Sequence, residues 1–346
     1  MQIAIVLLMA VVSFAPAAEN AEYHTPADII KIIDQSDIVY SIEQLNDKDK
    51  IPQPKSELNE HGTFLRKNED GSFMVTTYVL EQESNSRFNS LLAKAEKEFN
   101  SRNFSAARTI YQDILKIDPN NSQIMTYVGQ TYEEENKSRE AIEMYRKAIA
   151  ANFLDYMAHW FLADMLITQK KFDEAAHEIT IAHLLNRNNP RILEGLKYVY
   201  KKAGRFYPEW TFTPRCILTS ESPTSVSLKT DMAPEWMAYG LCKAVWHYEP
   251  SYREAMLRKT RDPQILAEEY ECLLMLVTSV MLDENKKPTD PAIRALVNAA
   301  KQKNLQEYAI YEIVLREQPQ FIFILHQKSI MALADYLLEI RSRKIT

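Results

Sequence analysis

Glycine is scarce in this sequence. Only six glycines occur in 346 residues, at positions 62, 71, 129, 195, 204 and 240, whereas average usage would supply roughly two dozen. The GxGxxG turn, the Walker loop and the GxSxG nucleophile elbow all need closely spaced glycines, and none of these motifs occurs. The common nucleotide-binding and hydrolase signatures are therefore excluded, and an all-β fold punctuated by glycine turns is disfavoured.

Cysteine and histidine are also few, with three and seven residues. Cys216, Cys242 and Cys272 match no metal knuckle, which leaves two alternatives: one disulfide with a free thiol, or three reduced thiols. No HExxH or CxxC motif occurs. On one helix, Cys242 and His247 would point about 140° apart, which disfavours a thiol–base pair. We therefore expect no catalytic residue, no metal site, no cofactor and no enzymatic activity.

Positive charge is in deficit, since 41 Lys and Arg against 47 Asp and Glu give a net charge of -6. Such a chain has no basic field to hold nucleic acid or an anionic membrane surface. The most apolar internal stretch, 273–282, is shorter than the about 20 residues that a membrane span requires. We therefore expect no nucleic-acid partner, and no stable membrane insertion once the N-terminal segment is cleaved.

The N-terminus has the pattern of a secretory signal peptide, predicted over residues 1–18. Residues 3–14 are apolar, and a small-residue stretch follows, so cleavage is predicted after Ala17 or Ala18. No Lys or Arg precedes the apolar run, and an uncleaved anchor or a buried helix is the alternative. We predict that the chain is exported, either to a periplasm or as a secreted protein.

The strongest internal pattern is a repeat of 34 residues. Similar residue types recur at this step in five columns, which predicts stacked helical units. Three units cover 88–121, 122–155 and 156–189, and a capping helix covers 190–206, so that the array spans 87–206. The columns comprise Ala107, Ala141 and Ala175; Tyr111, Tyr145 and Ile179; Ile114, Ala148 and Ala182; Ala95, Gly129 and Ala163; and Phe104, Ser138, Phe172 and Phe206.

Each unit contains two helical apolar stripes separated by a short polar break. In the second unit the break ends at Ser138, which we predict to be the N-cap of the second helix. Ser105 and Asp173 occupy comparable cap positions in the neighbouring units. Small residues such as Gly129 and Ala141 allow the two helices to approach closely.

These units resemble the tetratricopeptide repeat. Its pattern W-x2-L-G-x2-Y, then A-x3-F, then A, is met by Met125-x2-Val128-Gly129-x2-Tyr132, Ala141-x3-Tyr145 and Ala148. The resemblance implies a mostly α fold, an α-solenoid of helix pairs. It also implies that the first helix of each unit lines a concave groove that binds a protein or peptide partner.

The resemblance assigns the second, fifth, sixth, ninth and twelfth positions of each first helix to the groove. Family members that grip a C-terminal carboxylate use Lys, Arg and Asn here, but this chain has Leu92 and Glu96 at the first such places, so that clamp is not supported. The groove is instead aromatic, as a peptide-binding hot spot requires. The alternative is that another part of the chain covers it. The candidate partner-binding residues are Tyr127, Gln130, Trp160, Phe161, Asp164 and Tyr198.

Residues 19–86 are predicted to form a small N-terminal α+β arm. Thr25-Pro26 caps a short helix, and residues 39–42 have the pattern of a strand. Residues 63–66 and 73–80 flank turn residues and predict a hairpin.

Beyond the array, residues 207–233 form a Pro-, Ser- and Thr-rich connecting segment, which we expect to lie across the array. Residues 234–346 predict an irregular C-terminal helical domain. Asp290-Pro291 should begin one of its helices, and Asn304 with Glu307 forms an approximate capping box for another. Residues 290–320 are interpreted as a degenerate repeat.

Two functions from different classes follow. The first is a non-enzymatic extracytoplasmic scaffold or adaptor that binds a protein or peptide partner through the concave groove. The alternative is a glycan- or small-ligand-binding module of the cell envelope, with Trp160, Trp210 and Trp246 as stacking platforms. The dense aromatic and polar run 246–254 is interpreted as helix-end packing.

Overall fold

The computed structural model describes residues 23–51, 53, 56–69, 73–78, 86–260, 262–282 and 288–345. The predicted signal peptide lies outside these residues. The chain divides into two compact units. The first unit combines residues up to 55 with 209–314, and the second combines 56–208 with the residues from 315 onward. Within the described ranges, no helix has both the length and the apolar character needed to cross a bilayer.

The described chain is mostly helical, as predicted. In chain order the helices are α1 Pro26–Asp34, α2 Ser86–Asn100, α3 Phe104–Ile117, α4 Ser122–Glu134, α5 Ser138–Ala151, α6 Tyr156–Thr168, α7 Phe172–Leu185, α8 Pro190–Lys202, α9 Pro234–Tyr248, α10 Pro250–Thr260, α11 Gln264–Met281, α12 Pro291–Lys301, α13 Leu305–Ala309, α14 Leu315–Glu317 and α15 Gln327–Asp335. Short π-helical segments span Ile310–Val314 and Tyr336–Arg341, and a 3-10 helix spans Pro319–Ile324. The strands are β1 Val39–Gln44, β2 Thr63–Lys67, β3 Phe73–Thr77, β4 Arg205–Phe206, β5 Cys216–Ser222, β6 Ser225–Thr230 and β7 Arg343–Lys344.

Helices α2 to α8 form the repeat array in the second unit, where each helix packs against the next one in sequence. The small residues of the 34-residue columns are fully buried between paired helices, as the exposures of Ala107, Ala141 and Ala175 show. The helices approach closely at Gly129, because a Cβ built there would lie 2.4 Å from Cε1 of Tyr145. Small residues at these columns therefore set the distance between the helices of a pair.

The turn inside each repeat has the same backbone geometry. Arg102, Asn136, Lys170 and Gly204 follow one another at the 34-residue step and have φ of 61°, 59°, 59° and 69°. This left-handed conformation ends the first helix with backbone hydrogen bonds, such as the one from Lys137 N to Tyr132 O at 2.9 Å. The repeat is thus a repeat of backbone conformation as well as of side-chain type.

The predicted caps of the second helices are wrong. Ser138 is the first residue of α5, and the N-cap is Lys137, whose side chain makes no capping hydrogen bond. The left-handed turn brings the chain into the helix one residue earlier than a serine cap would. The first helices do have side-chain caps, again at the 34-residue step: Asn121, Asp155 and Asn189 accept backbone hydrogen bonds from Ile124, Met157 and Arg191.

The described residues between 56 and 78, called the edge segment below, follow one edge of the array, where each repeat joins the next. They contain the predicted hairpin, in which β2 pairs with β3 from Thr63↔Thr77 to Lys67↔Phe73. The predicted turn of that hairpin includes residues 70–72, which lie outside the described residues. Tyr78 donates to Asn120 O at 3.0 Å, and Asn152 donates to Thr63 O at 2.8 Å. The edge segment therefore contacts successive junctions of the array.

The C-terminal residues complete the second unit. Helix α15 and the segments Pro319–Ile324 and Tyr336–Arg341 pack against α7. Strand β7 pairs with β4 just after the capping helix, and Nη1 of Arg341 donates to Pro208 O at 2.7 Å. The last helix of the array is therefore joined to the end of the chain by main-chain and side-chain hydrogen bonds.

The first unit contains a three-stranded sheet in the order β1-β6-β5. Strand β1 runs parallel to β6, and β5 is antiparallel to β6. The hairpin β5–β6 was not predicted, because Ser and Thr dominate the segment that we interpreted as a connector. Phe212, which precedes it, is fully buried and contacts the rings of Trp236, Tyr239 and Tyr308 within this unit.

Helices α9 and α11 form the centre of the first unit, with α1 packed on both. The predicted cap at the start of α1 is present as a capping box between Thr25 and Asp28, and Asp290 caps α12. The expected box at Asn304 is incomplete, since its side chain makes no capping hydrogen bond. The turn before it, at Lys303, has φ of 61°, the same left-handed geometry as the turns of the array.

Candidate functional site

The six candidate residues lie on three successive first helices of the array. Helix α4 carries Tyr127 and Gln130, and α8 carries Tyr198. The other three, Trp160, Phe161 and Asp164, lie on α6. Asp164 is exposed and Tyr198 is 54% exposed, while the other four are half-buried. All six therefore have solvent-accessible surface within the second unit.

An aromatic stack forms the centre of this surface. The rings of Trp160 and Phe161 lie 6.3 Å apart and nearly parallel, and Phe161 stacks on Tyr145 at 5.7 Å. A Cβ built on Gly195 would lie 3.6 Å from Nε1 of Trp160, so the indole packs closely against α8. The side chains of Trp160 and Phe161, which are half-buried, are thus held by fixed neighbours, which gives an anchor site of low conformational entropy.

Two carboxylates of neighbouring helices adjoin the aromatic stack. The hydroxyl of Tyr145 donates to Oε2 of Glu133 at 2.6 Å. Removal from water and the nearby Glu133 carboxylate raise the pKa of Asp164 to about 6, although part of its side chain is exposed. Burial likewise raises the pKa of Glu133, against the hydrogen bond from Tyr145. The site therefore combines apolar surface with negative charge.

The end of the groove at Tyr127 is covered by the edge segment. His61 contacts Tyr127 edge to face with ring centroids 5.6 Å apart, and Tyr111 lies 5.5 Å away on the other side. Burial is the main reason that the pKa of Tyr127 rises to about 12. The chain thus covers part of its own groove at this end, whereas Asp164 and Tyr198 stay exposed.

His61 and Asp155, which the sequence analysis did not single out, fix this covered end. Nε2 of His61 lies 3.1 Å from the fully buried carboxylate of Asp155, which also accepts from Ser122 Oγ at 2.7 Å. Burial opposes ionisation of Asp155, but His61 and Ser122 outweigh it and lower its pKa. Asp155 lies 34 residues after Asn121 and 34 residues before Asn189, so the repeat spacing could have identified it as a helix cap.

The first unit contains a separate polar cluster around Glu271. Its buried carboxylate accepts hydrogen bonds from Trp246 Nε1 at 2.7 Å, from the Tyr252 hydroxyl at 2.6 Å and from His24 N at 3.0 Å. Lys243 and His247 pair with the neighbouring Glu268 and Glu269. Across the part of the chain that the structure describes, no group of three His, Cys, Asp or Glu side chains is arranged to hold a metal ion. The cluster joins α1, α9, α10 and α11 through satisfied polar groups.

This geometry corrects one part of the glycan hypothesis. Trp246 is fully buried and bonded to Glu271, so it cannot serve as a stacking platform. Trp210 stacks on Tyr308 of its own unit at 6.2 Å. The run 246–254 instead contributes Trp246 and Tyr252 to the buried polar cluster.

The three cysteines are unpaired. Cys242 and Cys272 are buried on the facing helices α9 and α11. Burial raises the pKa of Cys242 to about 11 and that of Cys216 to about 12. His247 bonds to Glu268 at 3.0 Å, so the structure forms no thiol–imidazole pair with Cys242.

Comparisons with known proteins give a match to one family model and several similar solved structures. A family model described as tetratricopeptide repeat matches residues 128–179. The chain is similar to the type III secretion translocator chaperone SycD of Yersinia enterocolitica, with 18% identity over 35% of this chain and 96% of that one, and a TM-score of 0.33. It is also similar to the first TPR of Spaghetti (RPAP3) bound to an HSP90 peptide, with 20% identity over 35% and 95% of the two chains and a TM-score of 0.33.

The structure of MamA is a third similar protein, with 14% identity over 69% of this chain and 96% of that one, and a TM-score of 0.31. No curated protein matches the sequence. The buried small-residue columns, the recurring left-handed turn and the matched family model point to the same conclusion. The chain therefore contains tetratricopeptide repeats, which the family model matches over residues 128–179.

Proposed function

We propose that the chain is a non-enzymatic scaffold or adaptor outside the cytoplasm, and that it binds a segment of a protein partner in the concave groove of its repeat array. The observation that carries the proposal is the accessible aromatic surface on successive first helices. Trp160 and Phe161 are half-buried, and Tyr198 is 54% exposed. Aromatic anchors held by rigid neighbours are the residues that dominate peptide-binding energetics.

A site-specific photo-crosslinking experiment tests groove binding. A benzophenone amino acid replaces Tyr198 in the full chain, and the cross-linked products are identified by mass spectrometry in the cells that make the protein. The matched control carries the same group at Lys147, which is 57% exposed on the outer helix α5. We expect one dominant protein to cross-link at position 198 and not at 147. Identical products at both positions, or none at 198, would contradict the proposal.

The location outside the cytoplasm is tested separately. We expect the mature N-terminus, determined by Edman sequencing of the purified native protein, to follow Ala17 or Ala18. The protein should fractionate with periplasmic or secreted markers. An intact N-terminal methionine on a cytoplasmic protein would remove this part of the proposal and leave groove binding unaffected.

A further inference from the structure

The groove of the three repeats carries charge of one sign. Glu96, Glu133 and Asp164 occupy groove positions on three successive first helices, and no Lys, Arg or His occupies a groove position of these repeats. Basic residues return only on the capping helix α8, as Arg191 and Lys201. The groove is therefore acidic along the repeats, whereas its capped end carries both signs, with Arg191 and Lys201 beside Glu194.

No cation of the described chain neutralises the central pair. Glu133 is bonded to a neutral hydroxyl, that of Tyr145, and Asp164 has no ion pair among the described residues. The nearby Arg108 is held 3.0 Å from Glu135 instead. Removal from water is the main cause that raises the pKa of Asp164, and the Glu133 carboxylate raises it further. A ligand cation would relieve this repulsion, whereas a ligand carboxylate would increase it.

The aromatic stack beside the pair suits the same ligand. Trp160 and Phe161 are half-buried, so part of their apolar surface is accessible, and an aromatic ring also attracts an ammonium or guanidinium group. Among the described residues, the indole N–H of Trp160 donates to no protein acceptor, so it is available for a carbonyl oxygen of a bound chain. Apolar contact, cation binding and main-chain recognition thus come together on α6.

We propose that the groove takes a segment of a protein partner that carries a lysine or arginine side chain next to an apolar or aromatic one. The cation binds between Glu133 and Asp164, and the apolar side chain packs on Trp160 and Phe161. This inference rests on the proposed function, because it specifies the chemistry of the partner for the same groove. Charge complementarity selects this partner over an acidic segment.

Fluorescence anisotropy of labelled synthetic peptides tests the charge assignment with the mature full-length chain. One peptide alternates lysine with phenylalanine, and its matched probe has glutamate in place of every lysine. We expect the lysine peptide to bind more tightly, and Asp164→Asn to weaken it about three- to tenfold, as a partly exposed charge pair would. The control Glu143→Gln removes a carboxylate that is 62% exposed on α5 and should leave the affinity unchanged.

Tighter binding of the glutamate peptide, or an unchanged affinity for Asp164→Asn, would overturn the assignment. A display library selected on the wild-type chain and counter-selected on Tyr198→Ala separates this inference from groove binding itself. Enrichment of basic aromatic peptides supports both. Enrichment of acidic or uncharged peptides would overturn the charge assignment alone. If no enriched peptide depends on Tyr198, both proposals fail.

Discussion

Asn186 pairs through its side chain with the backbone of Asn59. Its Oδ1 accepts from Asn59 N at 3.0 Å, and its Nδ2 donates to Asn59 O at 3.0 Å, as a neighbouring strand would. In return, Asn59 Nδ2 donates to Leu185 O at 2.6 Å. Both asparagines are buried, so the edge segment is held at the third junction of the array by bonds that exclude water.

Asn186→Ala should therefore destabilise the second unit. The substitution leaves a buried N–H and a buried C=O of Asn59 unpaired, and we expect a loss of about 2–4 kcal/mol of unfolding free energy. Chemical denaturation followed by circular dichroism measures it. Asn188→Ala in the same loop is the control, since its side chain makes only a 3.4 Å contact with Arg316 O. Equal losses in both variants would refute the pairing as the cause.

Asp164→Asn should raise thermal stability at neutral pH. The pKa of Asp164 is raised to about 6 in the folded chain, by removal from water and by Glu133, so its ionisation opposes folding. Its contribution to stability is present below its unfolded pKa and is lost as the pH rises through about 6. The stability gained by Asp164→Asn is therefore greatest above pH 6, and it disappears near the pKa that Asp164 has in the unfolded chain.

Because Asp164 is exposed, solvent screening limits this gain to less than about 1 kcal/mol. Melting temperatures of both proteins across the acidic range measure it. The titratable neighbours that also face Asp164 are Glu133 and Tyr145. Glu133→Gln should therefore reduce the difference in melting temperature between the chain with Asp164 and the Asp164→Asn variant. A gain that persists at low pH would show that packing, and not charge, is responsible.

The left-handed turns allow a paired test of backbone strain. A Cβ built on Gly204 meets no atom within 4 Å, so Gly204→Ala changes only the backbone preference and should cost about 1 kcal/mol. Lys170 adopts φ of 59° with a side chain, and Lys170→Gly should gain up to about 1 kcal/mol. Urea denaturation of both variants measures these changes. Shifts of the same sign would contradict the explanation.

Glu271→Gln should destabilise the first unit by about 2–4 kcal/mol, because an amide NH2 replaces an oxygen that accepts from buried donors. Near-ultraviolet circular dichroism should report the change, since Trp246 and Tyr252 both donate to this carboxylate. Glu254→Gln, at an exposed position of α10, is the control and should change stability by less than about 0.5 kcal/mol. A wild-type spectrum and stability for Glu271→Gln would show that the cluster is not structurally important.

The array could be predicted because its signal repeats. Ala107, Ala141 and Ala175 occupy the same buried position in successive repeats, so the sequence shows the same packing requirement several times. The helix bounds follow from this repetition. The hairpin β5–β6 had no such redundancy. Its serines and threonines suit both strands and linkers, and only the parallel pairing with β1, far away in sequence, decides between them.

The helices that carry the candidate residues were predictable from the sequence, but the accessibility of those residues was not. The resemblance to the tetratricopeptide repeat assigns Tyr127, Trp160 and Tyr198 to one groove, yet it says nothing about which other parts of the chain reach that groove. The contact between His61 and Tyr127 joins segments that are distant in sequence and share no motif. Likewise, the burial of Trp246 depends on Glu271 of another helix.

The edge segment has a consequence for how the array unfolds. Helical repeats normally contact only their neighbours, so their ends can unravel independently of the middle. Here a single stretch of chain touches the junction before α4 through Tyr78, the next through His61, and the third through Asn59. Opening any one junction therefore removes support from the others. The array should melt in one cooperative transition, with amide protons of α4, α6 and α7 exchanging together.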